Sequence, residues 1–313
     1  MAIPFTCPHC GNQTTVADEY AGRTGPCAQC GQTVSIPVGM GMSPQPTAKA
    51  GKSSGPLFAI LGVVAVLVLL CGGGVFYVIS QTVSNARDAA NRARLSNNLR
   101  QIGLALHNYH DIHGRLPAGA YGPDALAPEE RLSWMVEILP YMEQRSLYDQ
   151  FNHEEAWDSP TNISLSDVHL LQYQSPLQPG QPSHTQFVGI AGVGRDAPML
   201  PMEDMKVGMF GYDRVTTFGS VTDGLSQSMF AVETYTGNGP WAAGGPSTLR
   251  GLDDTATPYI GQGRQFGSKD MASVLMGDTS IRRLNVGIDP RVFEKMSTIH
   301  GGEPIEYDPD VDF

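Results

Sequence analysis

The chain has 313 residues, 41% of them hydrophobic, with 36 Gly, 23 Pro and a formal net charge of −11. It is too long for one minimal domain, apolar enough for a packed core, and rich in loops. Residues 114–313 hold 13 basic and 27 acidic groups, a net of −14, and a surface of that sign repels phosphate backbones, which excludes nucleic-acid binding by this part.

The chain opens with Cys7, Cys10, Cys27 and Cys30 in the pieces "CPHCG" and "CAQCG", a doubled C-x2-C. Four thiolates at this spacing suit a tetrahedral Zn²⁺, each pair sitting on a tight turn whose following Gly lets backbone amides face the sulfurs. Redox chemistry and a disulfide pair are the alternatives for any C-x2-C, and the doubling in a short polar segment favours zinc. With four protein ligands there is no open coordination position, so the expected role of this zinc ribbon, residues 1–37, is structural or protein-binding. Its thiols point to a reducing compartment. Cys71 is the only other cysteine, so a disulfide framework for the C-terminal part is excluded.

Residues 38–55 are rich in Gly, Ser and Pro and read as a flexible linker. A transmembrane helix is expected over 56–80. Its core, residues 57–79, carries no charge, and as a helix of 23 residues it reaches roughly 35 Å, enough for a ~30 Å hydrocarbon layer. A cleaved signal peptide is the alternative, but the run exceeds the usual ~7–15-residue apolar region and a zinc-type module precedes it. Lys49 and Lys52 precede the run, whereas Arg87, Arg92 and Arg94 follow it and argue for the reverse orientation. The zinc module and the cysteine-free acidic C-terminal part outweigh them, placing the N-terminus in the cytoplasm and the rest outside the inner membrane.

Residues 81–113 read as an amphipathic rod helix. Val83, Ala86, Ala90 and Ala93 recur at three-four spacing, and after one phase slip Leu95, Leu99, Ile102, Leu106 and Tyr109 continue. The early stripe is small enough for close packing against a partner or a second copy. Gly114 and Pro117 supply the stop. Residues 114–313 then alternate apolar runs with Gly/Pro turns. "TQFVGIAG", "MFAVET" and "ASVLMGDTSIRRL" read as strands, and "ERLSWMVEILPYMEQRSLYDQF" as one or two short helices interrupted at Pro140. The expected fold class is α+β: a long helix packed on an antiparallel sheet head, preceded by the small ribbon.

The pieces "LSNNLRQIGLALHNYHDIHGRLPAG", "SWMVEILPYMEQRSLYDQF", "EEAWDSPTN", "VGIAGVG", "VTDGLSQSMFAVET", "GPWAAGGP" and "STIHGGE" follow one another from about residue 80 to 303. Together they resemble the signature of the DUF1559-type, prepilin-like bacterial membrane proteins, in a variant with an N-terminal zinc ribbon. The resemblance implies a pilin-like extracytoplasmic head on a hydrophobic helix, and no defined activity. The sequence departs from that pattern in three places. The apolar run begins "GPLFAILG" with no Gly-Phe-Thr-Leu-Ile-Glu start. The late His-x9-Asp-Gly element keeps only Asp278, with Ser268 and Thr279 at its ends. A Cys-Pro-Ser element is replaced by Ser175-Pro176-Leu177.

Other candidate sites meet simpler readings. His107, His110 and His113 spread over about 120° of the helix surface, so two share a metal more readily than three, and a structural junction between helix and head is the favoured reading. "TDGLSQS" reads as an Asx-type turn with Asp223 bonding local amides and Gly224 in an unusual dihedral, a calcium or ligand site being the alternative. Glu233 is expected as a buried partner for an arginine or a ligand contact. Trp241 is expected to fill the core under a loop rather than to form a sugar-stacking platform. The carboxylate pairs Glu154–Glu155 and Asp253–Asp254 carry no information in so acidic a chain. There is no G-x-S-x-G, H-E-x-x-H or P-loop, and no catalysis is expected. The leading expectation is a membrane-anchored structural or interaction protein whose partners are the lipid bilayer, a second copy through 81–113 and a cytoplasmic protein at the ribbon. An anchored binding module for a glycan or peptide is the alternative.

Overall fold

The computed structural model describes residues 2–38 and 55–301, with residues 55–78 described through their backbone alone. The expected linker lies almost entirely outside the described residues, as does the segment 302–313. The apolar side chains of the expected span at 56–80 lie outside them too. Among the described residues no helix is long and apolar enough to cross a membrane. The chain divides into two compact units, Met1–Gly74 and Val75–Phe313.

In the first unit, β1 (Ala2–Thr6) and β2 (Gln13–Ala17) form one antiparallel hairpin and β3 (Thr24–Pro26) with β4 (Thr33–Ser35) a second. Thr6 pairs with Gln13 and Pro26 with Thr33, so each hairpin is closed by one Cys-x2-Cys-Gly segment. Neither hairpin has a hydrophobic core: of the described residues in this unit, only Cys7 and Val34 are buried.

Helix α1 runs from Gly55 to His113, 59 residues, and the division between the units falls within it. Residues 79–94 are exposed apart from half-buried Asn91. From Leu95 onward one face is buried through Leu99, Ile102, Ala105, Leu106 and Tyr109. The phase slip in the sequence therefore marks where the helix passes from solvent onto the second unit. Burying each of the large aliphatic side chains contributes roughly 1.5–3 kcal/mol. Gly114 ends the helix in the left-handed region (φ 70°), its amide donating to the His110 carbonyl at 2.7 Å.

Beyond α1 come the short pair β5 (Ala120–Tyr121) and β6 (Leu132–Ser133), then α2 (Trp134–Glu137), α3 (Arg145–Tyr148) and α4 (Ile163–Ser166). The stretch expected as one or two helices is thus cut into α2, a 3-10 turn over Leu139–Met142 that takes Pro140 in its first turn, and α3. The Ser133 hydroxyl caps α2 by accepting from the Met135 amide at 3.2 Å.

The central sheet contains β7 (Phe187–Val193), β8 (Met229–Glu233), β9 (Leu249–Leu252), β10 (Met271–Met276) and β11 (Ile281–Asn285), in the order β11-β10-β8-β7-β9. Helix α5 (Pro290–Ser297) follows. Two expectations are corrected here. "ASVLMGDTSIRRL" is a hairpin rather than one strand, turning at Thr279 with φ 69°. The sheet is antiparallel except at its edge, where β9 lies parallel to β7 with Gly189 opposite Leu249.

Phe187, Ala191, Phe230 and Leu275 share the core on the α1 side of the sheet. Val188, Ile190, Val232 and Val274 form a second core with Tyr259, Phe266 and the α5 residues Phe293 and Met296. Coverage on both faces is why these strands read as continuous apolar runs without alternation. At Gly103 an added Cβ would sit 3.0 Å from the Leu275 methyl, so α1 rests directly on β10 there. Buried Arg214 ties the connections around β7 together: its terminal nitrogens donate to the carbonyls of Ala197, Leu200, Ala191, Gly208 and Phe210.

Candidate metal centre

The two Cys-x2-Cys segments fold into the same knuckle. The Cys7 amide donates to the Asn12 carbonyl at 2.9 Å and the Gly11 amide to the Cys7 carbonyl at 2.9 Å. Cys27, Gln32 and Gly31 repeat the pattern at 2.8 Å for both bonds. Gly11 and Gly31 have φ values of 71° and 72°, a conformation that glycine adopts at little cost. This is the physical reason for Gly after each second cysteine.

The knuckles bring the four sulfurs within 4.8 Å of one another. Two separations cross between hairpins: Cys7 to Cys30 at 3.8 Å and Cys10 to Cys27 at 3.9 Å. A tetrahedron with metal–sulfur bonds of ~2.3 Å has edges of about 3.8 Å, whereas a disulfide requires ~2.05 Å. The donor set therefore fits a metal ion and not a pair of disulfides, and all four cysteines are free thiols. Electrostatics agree. The backbone amides of Gln29 and Cys30 hold the Cys27 thiol down at about 6. The Asn12 amide also pulls on Cys10, but desolvation and the sulfurs of Cys30, Cys7 and Cys27 push it up to about 12. Four adjacent sulfurs do not all become anions unaided; a cation held among them would supply the missing charge.

Among the described residues, these four form the one group of three or more potential His, Cys, Asp or Glu ligands close enough to share a metal. The three histidines of α1 diverge. The His107 ring nitrogen meets the Gly277 carbonyl at 2.7 Å. That of His110 accepts from the Phe218 amide at 3.1 Å while its ring stacks on Phe218. His113 stacks on Tyr109 and meets the Tyr141 hydroxyl at 3.0 Å. All three dock the helix end onto the rest of the second unit. Asn98 does the same about two and a half turns before His107, donating to the carbonyls of Leu171 and Gln174 at 2.8 and 2.9 Å.

The remaining candidates are structural. Asp223 bonds the Gly301 amide at 2.8 Å rather than closing only a local turn, so it clasps the end of the described chain, and Gly224 takes φ 93° as expected. Glu233 is buried without an arginine: one oxygen accepts from the hydroxyls of Ser175 and Tyr235, the other from the Ser273 amide at 3.3 Å. Asp278 accepts from Ser280 within the β10–β11 turn. Ser268 bonds only the nearby Met271 carbonyl. Trp241 is 1% exposed, donates to the Val168 carbonyl at 2.9 Å and packs on Phe151 and Tyr173. Glu155 accepts from Asn152, and Asp253 is held at about 2 by Arg195. Sequence reasoning missed a pair on α2 and the loop after α3: Glu137 lies 3.6 Å from His153 between the rings of Tyr121 and Tyr148.

A family described as "Protein of unknown function (DUF1559)" matches residues 84–287, which is 204 of the 313 residues. No curated protein and no solved structure matches the chain. The matched segment begins on α1 and ends just past β11, so it takes in the histidine junction, the sheet and the buried Trp241, and leaves the cysteine centre outside. The chain belongs to the DUF1559 family.

Proposed function

We propose that this protein is a single-span, pilin-like structural or interaction protein of the inner membrane, with a zinc ribbon in the cytoplasm, an extracytoplasmic head and no catalytic activity. The observation that carries the proposal is the two-part burial of α1. Leu95 to Tyr109 are locked into the second unit, whereas residues 79–94 of the same helix touch no core, although Val83, Ala86, Ala90 and Ala93 line up on one side. An apolar stripe left uncovered by its own chain suits a second copy or a partner helix. The apolar run at 57–79 supplies the anchor in the bilayer. The metal is Zn²⁺, for which four thiolates in a closed tetrahedron make a structural site, and its exposed rim at Cys10 and Cys30 faces a cytoplasmic protein partner. The alternative, an anchored binding module for a glycan, loses its best platform because Trp241 is buried.

The test uses the absence of cysteine after Cys71. A Cys71→Ala, Ala93→Cys variant is treated in intact cells with a membrane-impermeant bifunctional thiol reagent, which reaches only residue 93 if the ribbon is cytoplasmic. Cross-linked dimers support association through this stripe. A monomer that is still labelled by the monofunctional reagent refutes it. Labelling only after permeabilisation refutes the orientation.

A further inference from the structure

We propose that the second unit binds a compact organic anion, an aryl or sugar phosphate or carboxylate, in the arginine-lined cavity beside the outer edge of β9. The inference is independent of the anchoring proposed above.

The cavity holds about 450 Å³, within the usual range of small-molecule sites. Its apolar lining includes Tyr212, Pro246 and Ala256, and its charged lining Arg195, Arg250 and Arg264 from three separate stretches of chain. This part of the chain has 27 acidic residues to 13 basic ones, so three guanidinium groups around one cavity run against its overall sign.

Their charges are unequally compensated. Arg195 is paired with Asp253 at 2.5 Å. Arg250 has no carboxylate partner among the described residues: its Nε and two Nη groups donate to the carbonyls of Pro246, Thr236 and Gly237 at 2.6, 2.7 and 2.5 Å. Those bonds fix the plane of the fork but leave its charge unneutralised and two of its five N–H groups unused. Burial pulls its pKa down to about 10, the mark of a cation held in a poorly solvated place. Arg264 is exposed, and its guanidinium has no hydrogen-bond or ion-pair partner among the described residues. Three cations against one carboxylate leave a net +2 on the lining. A phosphate or carboxylate meeting Arg250 and Arg264 supplies the missing charge in bidentate geometry, and an apolar body covers Tyr212 and Pro246.

The occupant is a small molecule rather than an added peptide strand, because the edge of β9 is already taken. The Gln265 carboxamide donates to the Gly251 carbonyl at 2.8 Å and accepts from the Asp253 amide at 2.9 Å, as a neighbouring strand would.

The experiment is calorimetric titration of the full chain in a non-ionic detergent with phenyl phosphate, benzoate and uncharged phenol. One-to-one binding of at least one anion and none of phenol is expected. Arg264→Gln, on an exposed side chain, is expected to weaken binding about tenfold, the equivalent of ~1.4 kcal/mol. Asp253→Asn keeps an oxygen acceptor for Thr255 but releases Arg195 and removes the opposing charge, and is expected to tighten binding several-fold. A purely structural set of arginines gives no saturable anion binding, or an affinity that neither substitution moves. Either result overturns the proposal.

Discussion

Removing the metal should unfold the first unit and leave the second intact. Among its described residues only Cys7 and Val34 are buried, and full burial of such side chains contributes roughly 1.5–3 kcal/mol each. A structural Zn²⁺ contributes about 10–16 kcal/mol, so the metal term exceeds the hydrophobic one several-fold. The two hairpins belong to separate two-stranded sheets, and Cys7–Cys30 and Cys10–Cys27 meet across them, so a metal ion held by the four sulfurs would be the cross-link between them. The assay is amide hydrogen exchange on the full chain with and without a high-affinity chelator, followed at Gly11 and Gly31, whose amides close the knuckles. Exchange at both should rise to that of an open chain on chelation, while the amides of β7 and β8 stay protected. Cys27→Ser should reproduce the effect without chelator. Equal protection of Gly11 and Gly31 in metal-loaded and metal-free protein would refute the reasoning.

Two further outcomes follow from the second unit. Arg214→Met removes the side-chain donor to five carbonyls, those of Ala191 and Ala197 keeping a backbone donor, and should cost about 3–5 kcal/mol in denaturant unfolding; a loss below about 1 kcal/mol would mean that the carbonyls find other partners. His153 has its pKa raised above 6.5 by the Glu137 carboxylate, against the opposing effect of burial. A raised folded-state value means that the pair's contribution is fully present below the unfolded value of 6.5 and fades as pH climbs through the folded one. The Tm difference between wild type and Glu137→Gln should therefore be largest on the acid side and shrink towards alkaline pH, and a pH-independent difference would remove the ion pair from the account.

What was legible in the sequence was local. Helix α1 and its end at His113 follow from three-four periodicity and the Gly114 stop, and the cysteine centre from residue type and spacing. The strands β7 and β8 follow from short apolar runs between turns. Strand β9 was missed because Arg250 and Gly251 interrupt its pattern, and its parallel pairing with β7 is set across 60 residues that carry no local mark. Glu233 was expected to meet an arginine or a ligand, yet hydroxyls and an amide stabilise a buried carboxylate as well, and no spacing rule foretells which arrives. The arginine cavity was equally hidden, since residues 195, 250 and 264 meet only after the sheet forms.

The Gln265 side chain at the border of β9 has a consequence for how copies of the second unit meet. An unpaired strand border offers a template on which copies zip together irreversibly, the usual start of fibres. Here one carboxamide occupies two of the backbone groups that an incoming strand would need, and β11 at the opposite border carries Arg282 and Arg283. Copies that meet thus do so at borders that resist zipping, which leaves association to side-chain surfaces that can also let go.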